Sequence, residues 1–347
     1  MMSLDLPLVS VLLPVYNGEH YLEETINSLL AQSYKNFEVL CINDSSSDNS
    51  LNILEKYAQL DKRIKIYTKP NGGTSAKSVN YGLQFAKGNY FMYSSQDDLF
   101  SEDLIEQNIL KILETGADVV VPEMHNYYNE NNISVGKIGV KGDNNKELSG
   151  PEAFVLSLDW TIHGFALWLM DTVKTVGISD YGLNSDEYSI RMLFFNSKKV
   201  VFSKGQFFYR QGNPNAITCK WHISQLDYLI TCNKIEKFLF QNGFGQKEIE
   251  INRKMLRNEL IRITLKFKSV QKDFPEQERL WTWKQIKLAF NENNSKFKHI
   301  KKINTRIATY NWMTFNFCTS CFHFFKKVSK YLPAKMRNKI INQLKNE

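Results

Sequence analysis

Residues 9–14, VSVLLP, form a short run of apolar and β-branched residues that ends at a proline. Such a run is typical of a buried strand, because β-branched side chains pack well in sheets and proline donates no backbone hydrogen bond. The same kind of run recurs further along the chain, and we predict strands at residues 37–42, 63–67, 88–93 and 117–121. Apolar residues at helical spacing fill the intervals, and we predict helices at residues 19–33, 51–60, 74–86 and 102–114.

This alternation of strands and helices predicts an α/β fold, Rossmann-like, with a mainly parallel sheet and helices on both faces. Ligands of such sheets bind beyond the carboxyl ends of the strands. The loops that follow Leu13, Ile42, Tyr67 and Tyr93 are therefore the candidate site. Beyond residue 122 the pattern loosens, with a long hairpin or loop expected at 126–145 and helices from 223 onward.

The positive charge of the chain is concentrated near its end. Residues 295–347 hold 12 Lys and Arg and one acid, a net charge of +11, so residues 1–294 carry 8 − 11 = −3. This distribution argues against nucleic-acid binding by the whole fold and predicts a basic appendage. Because residues 295–332 also interleave aromatics with the basic residues, they are typical of a helix lying on anionic lipid. The alternative is a helical end packed on a core with a solvated basic face.

The chain start and the cysteines indicate a reducing compartment. The first 18 residues lack a basic segment and a small-residue cleavage site, and Pro7 and Pro14 interrupt their apolar run, so we predict no signal peptide. We find no window of about 20 residues that is apolar enough to span a bilayer. The five cysteines are odd in number and scattered, unlike a disulfide framework.

Each of the four loops has a functional and an ordinary interpretation. In residues 14–19, PVYNGE, Tyr16 offers a flat face for a base, or the loop is a plain strand–helix turn. In residues 43–48, NDSSSD, Asp44 can accept a hydrogen bond from a ring N–H or a ribose hydroxyl, or it caps the loop. In residues 71–77, NGGTSAK, the glycines, a helix N-terminus and Lys77 suit phosphate, although a Gly-Gly turn is common. In residues 94–98, SSQDD, Asp97 and Asp98 can hold a hard cation, or Asp98 caps a helix.

Together the order and spacing of these loops resemble the inverting, nucleotide-sugar-dependent glycosyltransferases of the GT-A fold, family 2. Residues 9–17, VSVLLPVYN, match the first-strand motif of that family throughout, and NDSSSD matches its Asn-Asp-Gly-Ser-x-Asp loop with Ser45 in place of glycine. Its Asn-x-Gly helix motif appears between Asn71 and Leu83. The resemblance covers residues 8–122 strongly and 150–220 more weakly. It implies a nucleotide-sugar-binding half at 1–122, an acceptor-binding half at 123–222, and a helical region with a basic aromatic tail at 223–347.

The resemblance implies a role for each matching residue on the donor side. Asp44 contacts the base, usually uracil, and Lys77 lies near the diphosphate. The Asp-x-Asp motif of the family corresponds here to Ser95-Gln96-Asp97, which leaves Asp97 as the principal ligand of a divalent Mn or Mg ion. A serine hydroxyl can still contact ribose or a metal-bound water. The full predicted donor site comprises Pro14, Tyr16, Glu19, Asp44, Lys77, Ser95, Gln96, Asp97, Asp98, His163 and Arg210.

On the acceptor side the family places a catalytic carboxylate before an arginine, as in residues 184–191, NSDEYSIR. We favour Asp186 as the general base, with Glu187 as the alternative, because a sugar hydroxyl is a poor nucleophile until it loses its proton. His163 either touches donor phosphate or acceptor or is a packed histidine, and Arg210 offsets the charge of the leaving group. The chain has no Gln-x-x-Arg-Trp motif, which argues against a processive synthase.

These implications predict transfer of a sugar, with inversion, from a UDP-sugar to a hydroxyl of a glycan or lipid-linked saccharide. The expected setting is surface polysaccharide or lipooligosaccharide biosynthesis, on the cytoplasmic face of the membrane, with the tail making a peripheral contact. Two rivals stay open. A nucleotidyltransferase would need a glycine-rich, basic loop after the first strand, and a non-catalytic sugar- or lipid-binding module would agree with the serine at position 95.

Overall fold

The computed structural model of the protein describes residues 6–214, 216, 221–297 and 319. Within them the strands are β1 (Val9–Val15), β2 (Phe37–Asn43), β3 (Ile64–Thr68), β4 (Tyr90–Tyr93), β5 (Leu99–Phe100), β6 (Val119–Asn129), β7 (Asn132–Lys137), β8 (Leu167–Leu169) and β9 (Val200–Arg210). The α-helices are α1 (Leu22–Leu30), α2 (Ser50–Leu60), α3 (Ser75–Leu83), α4 (Leu104–Thr115), α5 (Gly150–Ser157), α6 (Met170–Val176), α7 (Ser185–Asn196), α8 (Asp227–Gln241), α9 (Gln246–Val270) and α10 (Glu276–Phe297).

One sheet contains all the described strands, in the order β3-β2-β1-β4-β8-β6-β9-β5, with β7 paired to β6. β3, β2, β1 and β4 are parallel to one another. β8 is antiparallel to both β4 and β6, so β6 runs in the same direction as β4, and β9 is parallel to β6. Only β5, β7 and β8 among the described strands run the other way, which confirms the mainly parallel sheet.

Both faces of the parallel part of the sheet are covered by helices. Side chains of a strand alternate between faces, and Val11 and Leu13 of β1 lie in one core with residues of α1, α2 and α4. Leu12 faces the opposite side, where α3 packs so closely that a Cβ on Gly82 would lie 3.0 Å from a Leu12 methyl carbon. The expected covering of both faces is therefore confirmed, and it explains why β1 reads as an almost unbroken apolar run.

The amino ends of the strands are held by a buried ionic network. Glu38 of β2 accepts hydrogen bonds from the Ser10 hydroxyl at 2.7 Å, the Lys65 ammonium at 2.5 Å and the Lys87 backbone N–H at 2.8 Å. Burial opposes ionisation, but these hydrogen bonds outweigh it and lower the pKa of the Glu38 carboxyl. This network lies at the end of the sheet opposite to the predicted site.

The antiparallel additions lie within and beside the second half of the sheet. β6 and β7 form the hairpin expected at 126–145, with its tip at residues 130–131. β8 and β5 have only three and two residues, too few to show a periodicity, and sequence reasoning did not find them. Pro122 lies inside β6 at a register irregularity, where its missing N–H is tolerated.

The chain divides into two compact units, residues 1–214 and 215–347. The predicted boundary at 122 falls inside β6, so the two predicted halves share one sheet, and the unit boundary precedes residue 222. In the second unit α8 and α9 are separated by a turn at Gly243, whose φ of +69° suits glycine. The apolar core of this unit includes Leu229, Leu260 and Phe290.

Among the helices that the structure describes, none combines the length and the apolar character needed to cross a membrane. The basic aromatic segment at 295–332 lies almost entirely outside the described residues, and its membrane contact stays a prediction.

Candidate active site

The loop after β1 presents an aromatic ring at the carboxyl edge of the sheet. Pro14 lies in β1 opposite Ile42 of β2, and the Tyr16 ring two residues later is 49% exposed. The Tyr16 N–H donates to Gln96 Oε1 at 2.8 Å, and the Tyr16 carbonyl accepts from Gln96 Nε2 at 3.0 Å. The Gln96 amide thus fixes the backbone that carries Tyr16, so its role in the structure is to position the loop.

Glu19 and Asp48 bind the first two loops to each other. The Glu19 N–H donates to Asp48 Oδ2 at 3.0 Å, and the Glu19 carboxylate accepts the Asn49 N–H at 2.9 Å. Asp48 also accepts the Ser50 N–H at 3.0 Å. Because each loop holds a backbone group of the other, their shape is fixed before any ligand arrives.

The second loop places Asp44 in a buried position beside a lysine. Asp44 pairs with the largely buried Lys69 ammonium, and its Oδ1 also accepts the Gly72 N–H at 3.0 Å. Among the described residues, Oδ2 accepts only the longer bond from the same N–H, at 3.2 Å. A carboxylate has about four acceptor positions, so Oδ2 keeps capacity for a further donor such as a ring N–H.

Two lysines meet at the glycine turn that precedes α3. A Cβ on Gly72 would lie 2.8 Å from Lys69 Nζ and 3.1 Å from Lys77 Cβ. Lys77 is exposed, and its N–H donates to the hydroxyl of Thr74, the residue that caps α3. Because Lys69 is paired with Asp44, the N-terminal end of α3 and Lys77 supply the positive charge of this turn, as a diphosphate requires.

The loop after β4 holds Asp97 between two side-chain donors. Ser95 Oγ donates to Asp97 Oδ1 at 2.7 Å, and Asn213 Nδ2 donates to Asp97 Oδ2 at 2.7 Å. The first position of the Asp-x-Asp motif, here a serine, therefore orients the remaining carboxylate.

The described residues contain no group of three or more His, Cys, Asp or Glu side chains that could hold a metal. Mg²⁺ usually takes one or two carboxylates and fills its other positions with phosphate oxygens and water. Asp97, with the Ser95 hydroxyl beside it, fits a cation site that the diphosphate of a donor completes. These residues do not fit a cage made of protein ligands alone.

Asp98 is buried beside Asp97 and is held differently. Its Oδ1 accepts the Arg210 N–H at 2.9 Å, while its buried Oδ2 has no hydrogen-bond partner in the described structure. Burial, and then the neighbouring Asp97 charge, raise the pKa of the Asp98 carboxyl well above its usual range. Through its hydrogen bond with the Arg210 N–H, Asp98 ties the end of β9 to the β4 loop.

Hydrogen bonds and ring contacts hold the Arg210 guanidinium beside this loop. It donates to the Asp97 carbonyl at 2.6 Å and to Glu24 at 2.6 Å. Its carbon lies 4.3 Å from the centre of the Tyr21 ring and 5.0 Å from that of Tyr127. These contacts hold Arg210 at the rim of the carboxylate loop, and its predicted contact with the leaving group stays a prediction.

The downstream acidic pair separates into two environments. Glu187 forms an ion pair with Arg191 at 3.1 Å, and Arg191, whose side chain is 3% exposed, also lies over the Trp160 ring. Asp186, by contrast, lies at the start of α7 and is exposed to solvent, although protein atoms surround it. This crowding raises the pKa of the Asp186 carboxyl, although backbone N–H groups at the start of α7 oppose the change. A reachable carboxylate with a raised pKa suits a general base.

Tyr93, the last residue of β4, connects the donor side to the acceptor side. Burial raises the pKa of its phenol, and the negative charges of Asp186, Asp98 and Asp97 raise it further, while a hydrogen bond with Ser75 opposes them. All three carboxylates therefore lie near enough to one hydroxyl to act on its ionisation. The structure thus places Asp186 within electrostatic range of Tyr93, the residue that precedes the β4 loop.

His163 is a packed residue. Its Nε2 lies 2.9 Å from the Pro122 carbonyl and must carry the proton there, and its buried Nδ1 has no hydrogen-bond partner in the described structure. Burial lowers the pKa of His163 to about 4, and the Lys137 charge contributes in the same direction. A neutral, buried imidazole agrees with the packed alternative weighed from the sequence.

Sequence reasoning missed three residues that the structure adds to the site: Lys69, Tyr93 and Asn213. Lys69 directly follows β3, at the same edge of the sheet as the other loops, and this position could have identified it as a candidate site residue. Tyr93 was interpreted only as a strand residue. Asn213 contacts Asp97 across 116 positions, and no local pattern reports such a contact.

The donor-side loops lie in a segment that matches a known protein family. The model of the family "Glycosyl transferase family 2" matches residues 10–165, which include every donor-side loop described above. Residues 10–165 form a glycosyl transferase family 2 domain. The predicted family is thus confirmed for residues 10–165, while Asp186 and Arg210 lie beyond the matched range.

Relatives of this family 2 domain include an uncharacterized glycosyltransferase of Rickettsia typhi, 34% identical over 200 residues, which are 56% of this chain and 61% of the relative. GlyG of Streptococcus pneumoniae is 26% identical over 232 residues, 62% of this chain and 75% of GlyG. The chain therefore spans 61% of the first of these relatives' length. A crystal structure of S. aureus TarS residues 1–349 in complex with UDP-GlcNAc is similar in fold, with a TM-score of 0.64, 15% identity, and coverage of 93% of this chain and 91% of that one.

Proposed function

We propose that this protein transfers a sugar from a UDP-sugar to a hydroxyl group of a saccharide acceptor, with inversion at the anomeric carbon. The observation that supports the proposal best is that the charges of Asp186 and Asp97 both act on the Tyr93 hydroxyl. A transferase needs a donor site and a base that face one space, because the acceptor oxygen must reach the anomeric carbon from the side opposite the leaving group.

The donor proposal rests on the loops that precede α1, α2 and α3. Asp44 Oδ2 keeps acceptor capacity for the ring N–H of uracil, and the exposed Tyr16 ring provides a face for stacking. Lys77 and the start of α3 attract the diphosphate. The similar fold of S. aureus TarS, a protein crystallised with UDP-GlcNAc, supports a UDP-sugar. Ser95, Gln96 and Glu19 support these contacts by fixing the loops.

In the proposed reaction Asp186 accepts the proton of the acceptor hydroxyl. The acceptor oxygen forms a bond to the anomeric carbon while the bond from that carbon to the diphosphate oxygen breaks, and the bonding electron pair leaves with UDP. The raised pKa of the Asp186 carboxyl makes it a stronger base than an ordinary aspartate. Glu187 is the weaker candidate, because its carboxylate is already paired with Arg191.

A divalent cation, Mn²⁺ or Mg²⁺, is part of the proposal, with Asp97 as its protein ligand. When bound, such a cation offsets the negative charge of the diphosphate and improves it as a leaving group. The chain contributes the fixed orientation of Asp97, which Ser95 and Asn213 hold from two sides.

We further propose that the acceptor is a glycan or a lipid-linked saccharide in surface polysaccharide or lipooligosaccharide biosynthesis. Support comes from the basic aromatic sequence at 295–332, which suits a peripheral contact with the cytoplasmic face of a membrane. A liposome sedimentation assay tests the membrane contact. Equal sedimentation of the full chain and a chain ending at residue 294 would refute it.

A panel of nucleotide sugars tests the reaction type. The protein is incubated with each UDP-, GDP- or CMP-sugar and Mn²⁺, and the release of free nucleoside diphosphate or monophosphate is measured. We expect slow hydrolysis of one UDP-sugar above the background of Asp186→Asn. Release of pyrophosphate from a nucleoside triphosphate and a sugar phosphate would instead identify a nucleotidyltransferase, and binding without any hydrolysis would identify a binding module.

A further inference from the structure

A polar depression lies beside the carboxylate loop and shares only Arg210 with the predicted donor site. Its volume is about 440 Å³, and it is lined by the tip of the β6–β7 hairpin together with Glu24 of α1 and Arg210 of β9. The hairpin contributes residues 127–131, YYNEN. This volume exceeds the roughly 300 Å³ at which small-molecule pockets begin, so the depression can accept one or two sugar rings.

The depression borders the proposed reaction centre through Arg210. Arg210 lines its wall and donates to the Asp97 carbonyl at 2.6 Å, while its backbone N–H donates to Asp98 at 2.9 Å. The Tyr127 ring lies under the same guanidinium at 5.0 Å. A molecule in the depression is therefore one side chain away from the loop that would hold the donor diphosphate.

The lining has the chemistry that recognises a saccharide. The Tyr128 ring is 50% exposed and offers an apolar face to the C–H groups of a sugar ring. Asn129, Glu130 and Asn131 contribute amide and carboxylate groups to the same lining, and such groups pair with hydroxyls as donors and acceptors. An apolar ring surrounded by short polar groups is suited to a polyhydroxylated ligand.

The charges of the lining favour an uncharged ligand. Arg210 is the one basic residue in the lining, and its guanidinium is already paired with Glu24 at 2.6 Å. With Glu24 and Glu130 as the acids, the lining has a formal charge of 1 − 2 = −1. Anionic units such as uronic acids or phosphodiesters would meet this negative charge without a free cation to bind them.

We propose that this depression is a subsite for an uncharged saccharide unit of the acceptor, with Tyr128 as the stacking platform. The inference rests on the proposed transferase function and adds the location of the acceptor and its chemical class. The hairpin tip thereby becomes a determinant of acceptor choice, separate from the donor loops.

Ligand-observed saturation-transfer NMR tests the proposal on the full chain. The neutral probes are methyl β-D-glucopyranoside and methyl N-acetyl-β-D-glucosaminide, and the anionic probes are methyl β-D-glucuronide and glycerol 1-phosphate. The variants are Tyr128→Ala and Glu130→Gln, and Val135→Ala is the matched control. Val135 lies on β7 of the same hairpin, is 69% exposed and does not line the depression.

We expect at least one neutral probe to bind the wild type and Val135→Ala equally and Tyr128→Ala about fivefold more weakly, the size of a lost aromatic contact. Glu130→Gln should leave neutral binding within about twofold and increase the binding of an anionic probe, since it removes a repelling charge. The proposal is overturned if no neutral probe binds, if Tyr128→Ala binds as the wild type does, or if an anionic probe binds the wild type more tightly.

UDP binding, measured on the same samples, distinguishes a failure of the proposed function from a failure of the proposed subsite. If the wild type does not bind UDP, the proposed function is contradicted, whatever the binding of the glycosides. Normal UDP binding with no effect of Tyr128→Ala on the neutral probes would contradict only the subsite.

Discussion

Replacement of His163 by glutamine tests whether this residue is a packed neutral histidine or a ligand of the donor. The glutamine side chain can keep a hydrogen bond to the Pro122 carbonyl, where His163 Nε2 lies at 2.9 Å, but it does not titrate. Because burial lowers the pKa of His163 to about 4, the folded protein resists the proton that the unfolded chain takes up near pH 6.5.

The sign and size of the effect follow from this difference in pKa. Stability from neutral His163 is fully present above pH 6.5 and is lost as the pH falls through the window from 6.5 to about 4. A pKa difference of about 2.5 corresponds to about 3.4 kcal/mol at 1.36 kcal/mol per pKa unit. At pH 4.5, two pH units below the unfolded value, about 2.5 kcal/mol of this should already be lost.

Urea unfolding of wild type and His163→Gln at pH 7.5 and pH 4.5 measures the effect. The other titrating groups are common to both proteins, so the wild type should lose about 2.5 kcal/mol more than the variant between the two pH values. Equal losses in the two proteins would refute the buried, neutral state. A donor affinity that falls more than tenfold in the variant would refute the packing role.

Three further substitutions test the carboxylates of the donor side. Lys69→Met should weaken UDP binding about tenfold by calorimetry, because it leaves Asp44 buried without its cation. The control is Lys65→Met, which disrupts the pair with Glu38 at the other end of the strands and should leave UDP affinity unchanged. Asp98→Asn keeps the acceptor for the Arg210 N–H and removes a carboxyl with a raised pKa, so its gain in melting temperature over wild type should be larger at pH 8 than at pH 4. An equal gain at both pH values would contradict the raised pKa. Ser95→Asp should lower the Mn²⁺ concentration for half-maximal transfer several-fold in a metal titration, and an unchanged midpoint would show that the diphosphate alone sets the affinity.

The fold of the donor side could be predicted because its signals are local. Each of β1–β4 is a short run rich in apolar residues, and the parallel arrangement brings their carboxyl ends to one edge, so the amino-acid sequence alone was enough to place the loops of Asp44 and Asp97 at that edge. The second strand of the β6–β7 hairpin lies in the segment 126–145, whose Asn- and Gly-rich composition indicated a hairpin or a loop.

The contacts that finish the site are long-range and could not be predicted. Arg210 and Asn213 reach Asp97 and Asp98 from more than 110 positions away, through the parallel pairing of β9 with β6 and the antiparallel pairing of β5 with β9. Glu187 differs from Asp186 because it is paired with the buried Arg191. The spacing of these residues in the sequence does not show that Arg191 is buried. Gln96 was predicted as a donor-site residue together with Ser95 and Asp97. In the structure its amide is bonded to the Tyr16 backbone.

The central claim is that Asp186 is the base of a sugar transfer whose donor binds on the other side of Tyr93. Its most direct test compares Asp186→Asn with Glu187→Gln in single-turnover transfer and in UDP affinity, once the donor panel has named a substrate. We predict that Asp186→Asn lowers transfer by about a thousandfold, within the range for a lost general base, with UDP affinity within about twofold of wild type. Glu187→Gln should retain transfer within about tenfold. Transfer by Asp186→Asn near the wild-type rate, with the loss falling on Glu187→Gln instead, would contradict the account.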